Sequence, residues 1–578
     1  MGQKNGGEIL VEMLERAGIR QFFTLHGGHL DSIFMAAEAR GFAMTDMRHE
    51  QAAVHAADGW ARATGEPGVA VVTSGPGVAN AVSGVVNAHV DAIPMLVIGG
   101  ANPASEDERL PLAGGYDQVA LMAPVTKWAH RIPKIERVAD QVAQALRIAT
   151  TGRPGPVYLE IPIDVAFTQI DEEAIHWPSE TAPTTQPCPT PQAVETAIEW
   201  LHSAERPAIL LGSGAWFSDL RANLGSDLLD FVERTQIPVF SNSRAHGLIP
   251  ADHPLCARNI MNLALLDRES TGGPDTVLVL GARLGLFTGG AGDRMLPRNA
   301  KLIQVDIEPE EIGRNRDVDL AISADCGETV RALCSVARER SWPARESWVQ
   351  ATRAASEMHR VMFGSALTEA KTPIHPYVLA DAIVEAAGRE SILVAEGGGT
   401  SSWMEMTAQV YKGGHWLSHG YLAQLGTGMP FAIAAQQANP DKRVICVLGD
   451  GAVGFNFAEF DTMVRHGLPV VVVVNNDQQW GMSAHGQDLI YGEGHRVVTD
   501  LGATRYDLAA VGFGCHGEHV VDPGDLLPAL SRALASGKPA CVNVMTDPSV
   551  ISLITLALVG GASEAGLTGE RKELRYLP

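Results

Sequence analysis

The sequence predicts an α/β protein of doubly wound parallel sheets, and three observations carry that expectation. Short apolar runs alternate with helical segments along most of the 578 residues. Within each run the apolar residues are consecutive, as strands buried on both faces require. Two stretches break the rhythm and divide the chain into three units. The runs include "GVAVVTSG" (68–75), "PMLVIGG" (94–100), "PVYLEIP" (156–162), "PAILLGSG" (207–214), "TVLVLGARL" (276–284), "KLIQVDI" (301–307), "RVICVLGDG" (443–451) and "PVVVVVNND" (469–477). "HWPSETAPTTQPCPTP" (176–191), rich in Pro and Thr, reads as a linker. Trp342-Pro343 and "KTPIHP" bracket a helical connector at 341–371. The units are then 1–175, 192–340 and 372–550, with a tail at 551–578. The first and last share one alternation pattern around a different middle unit.

Composition bounds the function. Hydrophobic residues make up 46% and charged residues 19%, ordinary for an α/β protein, and the length gives each unit its own core. A net charge of −23 argues against nucleic-acid binding, which needs a basic face, but leaves room for a local anion pocket. Seven scattered cysteines without a Cys-x-x-Cys pair suit free thiols in a reducing compartment. The N-terminus lacks an apolar signal core, and "VISLITLALVG" is too short to span a bilayer. No membrane partner and a cytoplasmic location are the expectation.

The stretch "GDGAVGFNFAEFDTMVRHGLPVVVVVNNDQQW" (449–480) is the most informative. Gly449-Asp450-Gly451 ends a buried strand, the edge at which parallel sheets bind ligands. Its glycines let backbone N–H groups approach a phosphate, and Asp450 is a hard oxygen ligand suited to magnesium. A helix over 453–466 and a valine strand bring "NND" back to the same edge. The bland alternative is a polar turn between two core strands. A metalloprotease reading of "HEQAAVH" fails, because His49 and His55 stand six residues apart, off one helix face.

This segment resembles the thiamine-diphosphate motif of the acetolactate synthase, pyruvate decarboxylase and oxalyl-CoA decarboxylase superfamily. That motif pairs the Gly-Asp-Gly aspartate with an asparagine one strand later and a main-chain carbonyl two residues beyond. Here the equivalent position is Asp477, with Asn476 as the alternative. The resemblance thus implies Asp450, Asp477 or Asn476, and the carbonyl of Gln479 as magnesium ligands. "MRHEQAAVHAADGWARATGEPGVAVVTSGPGVAN" (47–80) resembles the N-terminal signature and places the activating glutamate at Glu50. Such a carboxylate, bonded to the pyrimidine ring, promotes the imino tautomer of the cofactor. "HGYLAQLGTGMPFAIAA" (419–435) puts at Leu425 the apolar residue that wedges the cofactor into its bent form. "EGGGTSS" (396–402) matches the diphosphate turn. The implied cofactor contacts are Gly28, Glu50, Ser74, Pro76, Asn80, Gly399, Thr400, Leu425, Gly449, Asp450, Gly451, Ala452, Gly481 and Met482. The resemblance further implies pyrimidine-binding, middle and diphosphate-binding domains, with a homodimer as the minimum active unit and a homotetramer common.

The pocket must choose the reaction. The loop "ERLPLAGGYDQVALMAPVTK" (108–127) lacks the His-His pair of pyruvate decarboxylase-like enzymes. It has Ala113 and Gly114 where oxalyl-CoA decarboxylases have Tyr-Glu. "MSAHGQ" (482–487) replaces the Gln-Trp-Gln of acetolactate synthases. "TLHGGHLDSIF", "DQ" (117–118) and Asp477 resemble the 2-hydroxyacyl-CoA lyase branch, which implies an acyl-CoA substrate and formyl-CoA as product. The runner-up is a carboligase or decarboxylase of 2-oxo acids. Candidate acids and bases are His485, Gln487 and Glu493, in a loop "HGQDLIYGEGH" expected over the cofactor, with His29 facing the same region. A solvated loop glutamate is the bland reading of Glu493. In the middle unit Arg153, Ala215, Arg283, Asp306, Ile307 and Asp325 would, by resemblance, surround an adenine nucleotide: CoA, ADP or the ADP half of FAD. The tail reads as a lid over the substrate channel, or as a segment packed on a neighbouring subunit.

Overall fold

A computed structural model describes residues 2–564 apart from 107–108, 184, 223, 268, 290–291, 293–294 and 493. A two-stranded antiparallel sheet pairs Gln3–Asn5 with Gln169–Asp171, and three larger parallel sheets fall into three α/β domains. The chain forms two compact units, the first holding the first two sheets and the second the third.

In the first domain the strands run in the order Ala43–Asp46, Gln21–Leu25, Gly68–Val72, Met95–Ala101, Pro156–Pro162, Trp128–Arg131. Connections leave Gln21–Leu25 in one direction and Gly68–Val72 in the other, so these neighbours flank a topological switch point. The helix Glu50–Thr64 joins the edge strand Ala43–Asp46 to Gly68–Val72. His49 caps its start, its ring accepting from the Gln51 N–H, and Gly65 in the left-handed region ends it. The helix Pro76–Val90 follows the next strand, with proline in its first turn, where no N–H is needed. Ahead of the sheet, an Asn5–Glu8 capping box starts the helix Gly6–Arg16.

The middle sheet has the order Cys256–Asn259, Val239–Ser241, Pro207–Leu211, Thr276–Leu280, Lys301–Asp306, Leu320–Ser323, again with its switch point between two central strands. No helix or strand is assigned to the described part of 176–190, and Pro191 opens the helix Pro191–Ser203. The 341–371 stretch holds helices Glu346–Ser356 and Met358–Thr368. Trp348 of the first packs in the middle-domain core and donates to the Pro207 carbonyl at 2.7 Å.

In the second unit the parallel strands Ile392–Glu396, Val444–Gly449, Val471–Asn476, Ala540–Met545 and His516–Val520 lie side by side in that order. The valine run is wholly buried, as β-branched residues in a central strand should be. Two local expectations are corrected. The single helix expected over 453–466 is a one-turn helix Asp450–Val453 and a second helix Glu459–Arg465. The break holds Asn456, whose amide donates to the Gly426 carbonyl instead of lying on a helix surface. Most of the loop expected over 485–495 is helix Gly481–Tyr491, whose Ala484 and His485 are buried, ending at Gly492 with positive φ. The tail begins as helix Leu553–Glu564, packed against helices Gly398–Thr407 and Gly481–Tyr491. Its continuation, 565–578, lies outside the described residues, as does Glu493. All seven cysteines are free thiols. Among the described residues no helix is long and apolar enough to cross a membrane.

Candidate active site

At the switch point of the first domain, "LHGGH" and "TSGPG" meet. Gly27 packs so closely on Thr73 that a Cβ there would collide with its side chain. Glu50, 6% exposed, opens its helix here and accepts a hydrogen bond from Asn80 Nδ2 at 3.0 Å. Gly77 leaves room beside it, since a Cβ would lie 3.5 Å from Glu50 Oε1. The 73–77 turn is held from all sides. Gly75, at φ +68°, donates to Gln118 Oε1 at 2.6 Å and accepts from the Tyr116 hydroxyl at 2.6 Å. Ser74 Oγ donates to the Ala113 carbonyl at 2.8 Å. Gln118 in turn donates to buried Glu160 at 2.6 Å and to the Gly100 carbonyl at 3.0 Å. Gly28 and His29 begin a short 3-10 turn, and His29 Nε2 lies 3.3 Å from Asn102 Oδ1.

Below Glu50 the same helix carries a buried charge network. Arg62 donates to Asp58 at 2.5 Å and to Asp91 at 2.9 Å, and Arg244 reaches Asp91 at 3.1 Å. Arg62 and Asp58 are completely buried. The two guanidinium groups hold the Asp91 carboxyl well below the usual carboxylate range despite its burial. Burial, helped by the Arg62 charge, pushes the His55 imidazole down to about 3, so it is neutral.

The second unit gathers the other residues at one sheet edge. Asp450, 2% exposed, starts the one-turn helix after its strand, and its Oδ1 accepts the Gly451 N–H at 3.1 Å. Its Oδ2 is buried without a hydrogen-bond partner. Burial, then the charge of neighbouring Asp477, raises the Asp450 carboxyl, and burial also raises Asp477. Gln479 Nε2 lies 3.4 Å from Asp477 Oδ2. Asn476 is engaged elsewhere: its amide donates to Asn543 Oδ1 at 3.0 Å and to the Thr504 carbonyl at 3.1 Å. Thr400 Oγ1 accepts from Asn475 at 2.9 Å, and a Cβ on Gly449 would lie 3.4 Å from it. A Cβ on Gly398 would strike the Met482 sulfur at 2.6 Å, and one on Gly451 the Trp480 ring at 2.5 Å. Tyr506 donates its hydroxyl to the Asp450 carbonyl at 3.1 Å. A buried carboxylate oxygen without a donor, beside a second carboxylate and glycine backbone, fits a divalent cation carrying an anionic ligand.

His485 is buried and bonds the Pro548 carbonyl through Nε2 at 2.7 Å. Gln487 is tied at 2.8 Å and 3.2 Å to the backbone of Val497. In the middle domain Arg153 pairs with Glu311 at 3.2 Å, and Arg283 lies 3.8 Å from the same carboxylate. Both arginines also reach the Val90 carbonyl. Asp306 is pushed up to about 6, chiefly by burial. Ile307 beside it is half-buried. Asp325 caps the helix Cys326–Ala337, accepting the Gly327 and Glu328 N–H groups and the Ser218 hydroxyl, and Ala215 is fully buried.

Sequence reasoning gave no role to Asn475, Tyr506 or Glu396, and took Gln118 only as part of the Asp117-Gln118 pair. For Gln118 a signal existed, because Asp117 before it caps a short helix, with Ala120 N–H on its Oδ1 at 2.9 Å.

The comparisons with known proteins agree domain by domain. Residues 4–121 match the model of the thiamine pyrophosphate enzyme N-terminal TPP binding domain. Residues 194–333 match the central domain and 396–544 the C-terminal TPP binding domain. The class is therefore an enzyme with cofactor-binding domains on either side of a central one. Acetolactate synthase large subunit IlvG of Mycobacterium tuberculosis is 34% identical over 94% of this chain and 96% of its own. 2-Hydroxyacyl-CoA lyase 2 of Bos taurus is 31% identical, and that of Homo sapiens 30%, each over 94% of this chain and 90% of its own. The chain belongs to the thiamine pyrophosphate enzyme family and is a thiamine-diphosphate-dependent enzyme.

Proposed function

We propose that this enzyme is a magnesium-dependent 2-hydroxyacyl-CoA lyase acting on short branched substrates such as 2-hydroxyisobutyryl-CoA. It cleaves the C1–C2 bond to a ketone or aldehyde and formyl-CoA, and it runs in reverse as a condensation. The supporting observation is the wall at 113–114. Ala113 sits at φ +59° with its carbonyl on Ser74, and a Cβ on Gly114 would meet Asn102 Nδ2 at 2.9 Å. Neither residue carries a polar side chain, so the polar pair of oxalyl-CoA decarboxylases has no counterpart there, and small residues suit a bulkier, branched substrate.

Thiamine diphosphate, when bound, supplies the carbon nucleophile and the electron sink for C–C cleavage. Glu50 holds a proton at the pyrimidine ring, kept in place by Asn80. Asp450, Asp477 and the Gln479 carbonyl hold the magnesium ion, with Asn476 retained in the strand by Asn543. Gly399, Thr400, Gly449, Gly451 and Ala452 bring backbone and hydroxyl groups to the diphosphate. Leu425 presses on the cofactor, and Gly481 and Met482 border it. His29, beside Asn102, serves proton transfer at the substrate, with His485, Gln487 and Glu493 as the further candidate acids and bases. Arg153 and Arg283 exchange Glu311 for phosphate groups of CoA or ADP. The active assembly is a homodimer or homotetramer in the cytoplasm.

The second reading, an acetolactate synthase-like carboligase, is favoured by the 34% identity to the mycobacterial relative. Formyl-CoA release from 2-hydroxyisobutyryl-CoA, with and without thiamine diphosphate and Mg²⁺, separates the two. Release of formyl-CoA and acetone is expected. Turnover of pyruvate without cleavage of the CoA ester would replace the lyase reading with the carboligase one.

A further inference from the structure

One buried titratable group has no part in that chemistry. Glu396 ends the strand Ile392–Glu396, immediately before the Gly397–Gly399 turn, and is 1% exposed. Its partners are three consecutive backbone N–H groups. Gly426 donates to Oε1 and Gly428 to Oε2 at 2.6 Å, while Thr427 N lies 3.3 Å from Oε1. Gly428 is the first residue of the helix Gly428–Ala438, so the carboxylate also faces the positive end of a helix.

The backbone is shaped for this contact. A Cβ on Gly428 would lie 2.7 Å from Glu396 Oε2 and also run into Leu448. Gly426 adopts φ +93°, and a Cβ there would meet Asn456 Nδ2 at 2.9 Å. Asn456 holds the same turn from its other side by donating to the Gly426 carbonyl. Two segments of this sheet edge thus converge on residues 426–428, directly after Leu425: the strand ending at Glu396 and the segment after Asp450.

We propose that Glu396 is a positioning residue of the site, whose carboxylate clamps the 426–428 turn and thereby sets the place of Leu425. The proposal rests on the reading of Leu425 as the residue that presses on bound thiamine diphosphate. A half-buried leucine at the head of a glycine-rich turn has no stiffness of its own. The clamp supplies it through the backbone, and a misplacement of about 1 Å at such a contact costs on the order of 10²-fold in rate. Burial pushes the Glu396 carboxyl up to about 7, opposed by the three N–H donors, so the surroundings carry a real cost that the turn offsets.

The test uses the full-length protein and two readouts that need no substrate. One is amide hydrogen exchange of 426–428 in the cofactor-free protein. The other is exchange of the C2 proton of bound thiamine diphosphate, read by NMR after acid quench. In E396Q an amide replaces one acceptor oxygen by a donor facing N–H groups. Amide exchange of the turn should quicken about tenfold or more, and C2-proton exchange should fall by about 10- to 100-fold. Leu425→Ala should show the same fall, and the E396Q/L425A double variant should be no worse than either single one. Unchanged C2 exchange in E396Q, or a double variant equal to the product of the singles, overturns the proposal. Leu425→Ala without effect overturns it as well. Should E396Q not fold, Asn456→Ala loosens the same turn and must also slow C2 exchange, or the clamp is refuted. Failure of the lyase reading shows elsewhere, as absent formyl-CoA with normal C2 exchange in the unaltered protein.

Discussion

The two cofactor-binding domains solve opposite electrostatic problems. In the first, the charges along the Glu50 helix are answered within its own compact unit: Arg62 and, from the middle domain, Arg244 face Asp58 and Asp91, Arg131 pairs with Glu160, and Glu50 itself has Asn80. In the third, buried Asp450 stands beside half-buried Asp477, and one oxygen of Asp450 has no donor. The first is electrostatically balanced as folded, whereas the third, on the proposed reading, is balanced by a cation. In the proposed chemistry, rigidity then falls to the half that aims a proton, and affinity to the half that captures a charged ligand.

The largest effects should break this comparison at its functional ends. Glu50→Gln should lower cofactor-dependent turnover by about 10²- to 10⁴-fold while the Mg²⁺ concentration needed for half-maximal rate stays put. Asp450→Asn should raise that concentration as well as lower the rate. A titration of rate against Mg²⁺ for both variants checks this, and an altered Mg²⁺ requirement in Glu50→Gln would contradict the division of roles.

Next in size is the charge network of the first domain. Arg62→Met leaves Asp58 and Asp91 buried with one cation fewer and should cost about 3–5 kcal/mol of stability, read as a lowered urea midpoint. A change within about 0.5 kcal/mol would place the network among contacts of no consequence.

How much of this was legible follows from sequence distance. The parallel sheets were readable because a strand buried on both faces leaves a contiguous apolar signature in a few residues. Asp450 was readable because it sits in a glycine turn at a strand end, whereas Glu50 was readable only through the resemblance of 47–80 to the family's N-terminal signature. The choice between Asn476 and Asp477 was not, since it depends on where the strand stops. Asn476 is still paired in register with Met545, and its side chain turns to Asn543. Helix Gly481–Tyr491 was read as loop because Gly486 falls inside it. The Arg62 network and the Glu396 clamp join residues about thirty or more positions apart, which no local pattern encodes.

The same contrast predicts opposite pH responses. His55 is held near 3, below its ordinary 6.5, so stability present above pH 6.5 is lost as the pH falls from 6.5 towards 3. Asp450 and Asp477 are raised above their ordinary 3.8, so without metal the stability present at low pH is lost as the pH rises. Amide exchange followed by peptide mass spectrometry, in EDTA, reports the two regions separately. Peptides from 50–64 should lose protection in acid, and those from 449–482 should lose it towards neutral and alkaline pH. His55→Gln should flatten the first response alone. Parallel responses in both regions would remove the contrast.

The smallest effect sharpens the comparison most. Asp477→Asn removes one of the two repelling carboxylates and keeps its shape and one acceptor oxygen. Without metal at pH 8 it should stabilise the protein, by on the order of 1 kcal/mol for each unit of pKa shift relieved. With saturating Mg²⁺ the order should shrink or reverse, because the unaltered site gains more from the cation than the singly charged one. The stabilisation by Mg²⁺, measured as the change in urea midpoint, is therefore larger in the unaltered protein than in Asp477→Asn. Equal increments would mean that Asp477 does not share the ion with Asp450. A variant less stable than the unaltered protein in EDTA would mean that the pair is held by its shared proton more than it is strained by its charge.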